Sequence, residues 1–159
     1  MSVTLDCPDS AATRAVAARL APALRSGDVV LLEGDLGTGK TTFTQALAAA
    51  LGVERAVTSP TFTLMNIHPT KAGFDLVHVD AYRMERLSEV VELALPELLD
   101  DGAVVVVEWG ERAAPALPGD RMVIRFEYGP GEGSRRLTIE AVGARWEALE
   151  ASGFLGVRA

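Results

Sequence analysis

Strand-like and helix-like segments alternate along the 159 residues and the chain closes with a hairpin, which predicts an α/β fold. Helices should cover both faces of a mixed, largely parallel central sheet, giving three layers with a C-terminal β-hairpin. Three observations carry this expectation. Residues 28–33 and 103–107 are short apolar runs, the latter continuous, of the kind buried on both faces in parallel sheets. Amphipathic segments of helical period lie between and around them. Residues 121–128 and 136–142 flank a glycine-rich turn at 129–133, the pattern of an antiparallel pair. A content of 48% hydrophobic and 23% charged residues suits a globular chain, read as one domain over residues 1–159.

In chain order, Ala12, Val16, Leu20 and Leu24 recur every four residues and define one face of a first helix. Asp9 or Ser10 can cap its start, Gly27 can end it, and Pro22 should kink or break it. Arg14, Arg19 and Arg25 within this alanine-rich amphipathic pattern have the look of a targeting segment. Asp6, Asp9 and the lack of an apolar core region favour a structural helix instead. The strand at 28–33 leads into a glycine-rich turn and a helix from about 40 to 51. A hydroxyl-rich loop occupies 58–63, and strands are expected at 63–67 and 74–79 around a turn at 69–73. Residues 85–99 have helical character interrupted by Pro96, and 144–151 form a last short helix.

No apolar run approaches the roughly 20 residues needed to cross a bilayer, so no membrane-spanning helix is expected. Cys7 is the single cysteine and has no internal disulfide partner. The net charge of −7 argues against a chain that grips nucleic acid directly. Among the 15 basic residues only Lys40 and Lys71 are lysine, and Lys40 lies in the strongest motif of the sequence.

That motif, Gly34-Asp35-Leu36-Gly37-Thr38-Gly39-Lys40-Thr41, satisfies G-x-x-x-x-G-K-[ST] between an expected strand and an expected helix. Glycines allow successive backbone N–H groups to turn around phosphate oxygens, and the helix N-terminus adds its positive end. Lys40 can reach β- and γ-phosphates, and the Thr41 hydroxyl can ligate Mg²⁺. The expected fold is therefore P-loop NTPase-like. Two expected strands end in acids, Asp80 and Glu108, which would face this loop if the strands run parallel. One acid would hold Mg²⁺ and the other would orient or deprotonate a water; the residues alone leave the division open. The loop at 58–63 sits where a γ-phosphate sensor would lie. His78 is expected to pack within its strand, Trp109 to fill the core, and Arg135 and Arg136 to carry solvated charge. The single asparagine, Asn66, is followed by Ile67, so an Asn-Lys-x-Asp base motif is missing and ATP is favoured over GTP.

The strings G-D-L-G-T-G-K-T-T-F (34–43), S-P-T-F-T (59–63), H-V-D-A-Y-R (78–83) and V-E-W (107–109) resemble the TsaE family, formerly YjeE, in order and spacing. This family comprises bacterial P-loop ATPases needed for threonylcarbamoyladenosine modification of tRNA. The resemblance implies a cytoplasmic Mg²⁺-dependent ATPase that works with TsaD and TsaB and reaches tRNA through them; the sequence does not fix the oligomeric state, and a monomer is the expectation for the isolated chain. It implies ATP contacts at Thr13, Gly37, Thr38, Gly39, Lys40, Thr41 and Thr42, Mg²⁺ ligation by Thr41 and Glu108, and catalytic roles for Asp80 and Lys40. Arg136 resembles a C-terminal nucleotide contact. The chain departs from the family at Glu92-Leu93-Ala94-Leu95, where members commonly show Leu-Gly, and Pro96 is unusual there. Two other functions fit a phosphate loop: a small-molecule kinase, and a non-catalytic ATP-binding module.

Overall fold

A computed structural model describes residues 2–58 and 64–154. A seven-stranded mixed sheet forms its centre, with strand order β1-β7-β6-β2-β5-β4-β3. The strands are β1 (Ser2–Cys7), β2 (Val29–Gly34), β3 (Met65–Pro69), β4 (Asp75–Asp80), β5 (Val104–Glu108), β6 (Arg121–Tyr128) and β7 (Arg135–Val142). The inner four, β6, β2, β5 and β4, run parallel. The outer strands β1, β7 and β3 pair antiparallel with their neighbours. The helices are α1 (Ser10–Leu20), α2 (Lys40–Ala50), α3 (Leu87–Glu92), α4 (Leu95–Asp100), α5 (Gly110–Ala113) and α6 (Ala144–Ala151).

Alternation along the buried strands divides the core into two layers. Val30, Leu32, Leu76, Val104 and Val106 pack beneath α1, α2 and α6 through Val16, Leu20, Phe43, Leu47 and Trp146. Val29, Leu31, Val77, Val79, Val105 and Val107 face α3, α4 and α5 through Val90, Leu95, Leu99 and Ala113. Phe43 of α2 meets Phe126 of β6 edge to face at 5.6 Å, which ties the helix after the glycine-rich turn to the hairpin strand.

The expected order of elements holds, with local corrections. The first helix is capped by Asp9, which accepts from the Ala12 N–H at 2.8 Å, as the sequence suggested. It ends at Leu20, short of Gly27, because Pro22 turns the chain into a 3-10 turn over Ala21–Ala23. The expected strand at 63–67 is displaced to Met65–Pro69, and Pro69 is accommodated because β3 is an edge strand. The helical stretch 85–99 breaks at Ala94, two residues before Pro96. Ala94 adopts φ 54°, ψ 42°, and Pro96 then occupies the first turn of α4. Ala94 thus holds a backbone shape that glycine adopts without cost. The strand β1 and the short helix α5 were not anticipated.

Candidate phosphate-loop site

Parallel pairing sets the site. In the β4–β5 register Asp80 lies opposite Glu108, so both strand-terminal acids emerge at the same end of the sheet as the turn after β2. That turn leads directly into α2, with Gly39 at its N-cap. Gly34 opens the turn at φ 145°; a Cβ there would stand 2.6 Å from the Phe126 carbonyl oxygen, so only glycine fits against β6. Gly37, Gly39, Lys40, Thr41, Thr42, Asp80 and Glu108 line one cavity of about 310 Å³, together with Leu36, Tyr82 and Trp109.

Lys40 folds back over its own loop, donating to the carbonyls of Gly34 at 2.6 Å and Asp35 at 2.8 Å. Its ammonium also lies 4.2 Å from the centroid of the Trp109 ring. Burial lowers its pKa, opposed by the nearby carboxylates of Glu108, Glu111, Asp35 and Asp80. Glu108 is 3% exposed and uses both oxygens: Oε1 accepts from the Thr41 hydroxyl at 2.8 Å, and Oε2 lies 2.5 Å from His78 Nε2. His78 is fully buried, as expected of a packed strand residue, yet its ring orients the Glu108 carboxylate. Asp80 accepts from the Tyr82 N–H at 3.0 Å. Burial raises the Asp80 pKa, against that N–H bond, and the neighbouring Glu108 charge adds to the rise.

Not every expected residue joins this cavity. Thr38 is buried behind the loop, its hydroxyl donating to the Asp35 carbonyl at 2.7 Å. Thr13 is buried on α1 and does not line the cavity. Arg136 points away and pairs with Asp6 of β1 at 3.0 Å. Its neighbour Arg135 instead faces the loop, donating through Nε to the Thr38 carbonyl (3.0 Å) and through Nη2 to the Gly37 carbonyl (3.1 Å). Tyr128, directly across the hairpin from Arg135, donates its hydroxyl to the Leu36 carbonyl at 2.6 Å. Trp109 is half-buried at φ 59° and stacks on Tyr82 with ring centroids 4.9 Å apart, so it walls the cavity as well as packing against the core. Of the loop 58–63, where a γ-phosphate sensor was expected, residues 59–63 lie outside the described residues.

The donor set tests whether Mg²⁺ suits the site. Thr41 and Glu108 supply hard oxygen donors already within one hydrogen bond of each other. Among the described residues no group of three or more His, Cys, Asp or Glu side chains forms a metal cluster. One carboxylate, one hydroxyl and the oxygens of a phosphate ligand are the combination that Mg²⁺ takes in phosphate-loop proteins, so the residues fit this ion.

A strand, a glycine-rich turn and a helix N-terminus, framed by acids from the next two parallel strands, make this a protein of P-loop fold. A sequence profile for "Threonylcarbamoyl adenosine biosynthesis protein TsaE" matches residues 7–137, and the chain belongs to the TsaE family. The tRNA threonylcarbamoyladenosine biosynthesis protein TsaE of Streptomyces coelicolor is 44% identical over 148 residues, covering 90% of this chain and 99% of that one. Its counterpart of the same name in Bacillus subtilis is 42% identical over 137 residues, covering 86% and 84%. The crystal structure of YdiB from Bacillus subtilis superposes with a TM-score of 0.81 at 34% identity, covering 98% of this chain and 95% of that one. Among the described residues no helix is long and apolar enough to cross a membrane.

Proposed function

We propose that this chain is a Mg²⁺-dependent ATPase of the cytoplasm that supports threonylcarbamoyladenosine modification of tRNA together with TsaD and TsaB. The observation that carries the reading is the convergence of Lys40, Thr41, Asp80 and Glu108 on one cavity at the N-terminus of α2. The names of the relatives supply the pathway. A net charge of −7 suits a chain that meets tRNA through partner proteins.

In this reading the backbone N–H groups of the loop 37–42 and the α2 N-terminus bind the ATP phosphates. Lys40 gives up the Gly34 and Asp35 carbonyls and turns its ammonium to the β- and γ-phosphates. Thr41 and Glu108 would hold Mg²⁺, which would offset phosphate charge, while His78 keeps the Glu108 carboxylate in place. Asp80 accepts a proton from, or orients, the water that attacks the γ-phosphorus as the bond to the β-phosphate oxygen breaks. The raised pKa brings this carboxylate closer to the range in which a general base works at neutral pH. Thr13 is assigned to the adenine on family resemblance alone.

The test is phosphate release from Mg-ATP by the chain alone and with TsaD and TsaB added, with tRNA modification followed in the same tubes. Release that rises with the partners and tracks repeated modification is expected. Transfer of the γ-phosphate to a metabolite, or release indifferent to the partners, would overturn the reading.

A further inference from the structure

We infer that the β6–β7 hairpin sets the phosphate loop in its anion-binding shape, with Tyr128 and Arg135 as positioning residues that pin three consecutive peptide planes. The inference rests on the proposal that this loop holds a phosphate ligand. Tyr128 takes the Leu36 carbonyl, and Arg135 takes those of Gly37 and Thr38 with two different nitrogens. In a trans peptide the N–H of the next residue points opposite to the carbonyl, and no cis peptide occurs among the described residues. Holding these carbonyls on the hairpin side therefore turns the N–H groups of Gly37, Thr38 and Gly39 the other way. Gly37 and Gly39 are the two of these residues that line the cavity, while the Thr38 N–H leans to the Asp35 carbonyl at 3.3 Å.

The hairpin side chains brace each other. The Arg135 guanidinium lies 4.9 Å from the Tyr128 ring centroid, and its remaining terminal nitrogen donates to the Ser134 carbonyl at 2.8 Å. This planar fork spends three separate nitrogens on three backbone oxygens in a fixed geometry, which the single nitrogen of a lysine on its flexible stem does not reproduce. Gly37 completes the fit, because a Cβ there would stand 3.3 Å from the Tyr128 hydroxyl oxygen in a backbone at φ 77°. A glycine-rich loop loses much conformational freedom when it closes on an anion. A loop pinned beforehand loses less, and its affinity for phosphate rises accordingly.

The experiment uses the full chain and its Tyr128→Phe, Arg135→Lys and doubly substituted forms. It reads the ¹⁵N order parameters of Gly37 and Gly39 without ligand, and the affinity for Mg-ATP and for inorganic tripolyphosphate. Tyr128→Phe keeps the ring under Arg135 and carries no change in charge. It is expected to lower the order parameters from about 0.85 toward about 0.6. Both ligands should bind about threefold to tenfold more weakly, with the melting temperature held within about 2 °C. The double variant is expected to lose less than the product of the single losses, because both residues hold one loop. Unchanged order parameters and affinity in Tyr128→Phe would overturn the inference. So would a loss confined to Arg135→Lys, which would mark Arg135 as a direct ligand contact. If the unsubstituted chain bound neither ligand, the nucleotide reading would fall, and the order parameters would still decide the clamp.

Discussion

The Lys40 ammonium rests 4.2 Å from the Trp109 ring centroid while donating to the Gly34 and Asp35 carbonyls, so the loop's own lysine is held between its backbone and an indole face. A phosphate in the cavity competes for the same ammonium. Its departure from the indole face changes the polarity around Trp109. Mg-ATP should therefore shift the fluorescence of the chain. The change should vanish in Trp109→Phe and in Lys40→Met and persist in Trp146→Phe, whose indole is buried in the other core layer. A response carried by Trp146 would refute the displacement of Lys40.

Glu108 and Asp80 sit side by side in the β4–β5 register but have different partners. Glu108→Gln preserves an acceptor for Thr41 and removes the charge. Phosphate release should fall by about 100-fold or more while nucleotide binding stays within about threefold. Asp80→Asn should cost turnover about 10²- to 10⁴-fold, the range for loss of a general base. Single-turnover phosphate release alongside equilibrium binding separates the two effects. Unchanged hydrolysis in both variants would remove these acids from the chemistry.

The raised pKa of Asp80 also has a sign for stability. The folded chain holds this proton more readily than the unfolded chain, so the ionised carboxylate weakens the fold. That penalty is absent below the ordinary value of 3.8, grows as pH rises through the folded value, and is complete above it. Asp80→Asn should therefore melt higher than the parent at pH 7, with the difference closing as the pH falls toward 3.8. Melting curves across this range check it; a constant offset would point to packing.

Ala94 carries φ 54° at the junction of α3 and α4. An L-residue in this region costs about 1–2 kcal/mol, and glycine gives back about 0.4–1 kcal/mol through the unfolded chain. Ala94→Gly should stabilise the fold by about 0.5–1 kcal/mol and raise the melting temperature by about 1–4 °C. Differential scanning calorimetry measures this directly, and a lower melting temperature would contradict it.

The legibility of this chain follows the range of the interactions involved. The phosphate loop, α2 and the runs that become β2, β4 and β5 could be read locally, because glycine spacing and apolar continuity are local signals. The two acids could be read as strand ends, and their meeting followed once parallel pairing was assumed. Ser2–Cys7 escaped because six residues of weak alternation at a sheet edge resemble a polar leader. Arg135 and Arg136 could not be told apart, since only the pairing of Tyr128 with Arg135 decides which one faces the loop. The contact of His78 with Glu108 likewise depends on β4–β5 register, although alternation of Leu76, His78 and Asp80 placed these side chains on one face.

β2 sits between two strands that come much later in the chain: Val29 pairs with Val105, and Val30 with Met122. During synthesis the glycine-rich turn leaves the ribosome early, Asp80 and Glu108 follow only in the second half of the chain, and the hairpin brace comes last. Contacts this distant in sequence are slow to form. A nascent chain that carries the whole loop motif therefore still lacks the strands that flank it, and the candidate site takes shape only as the central sheet closes.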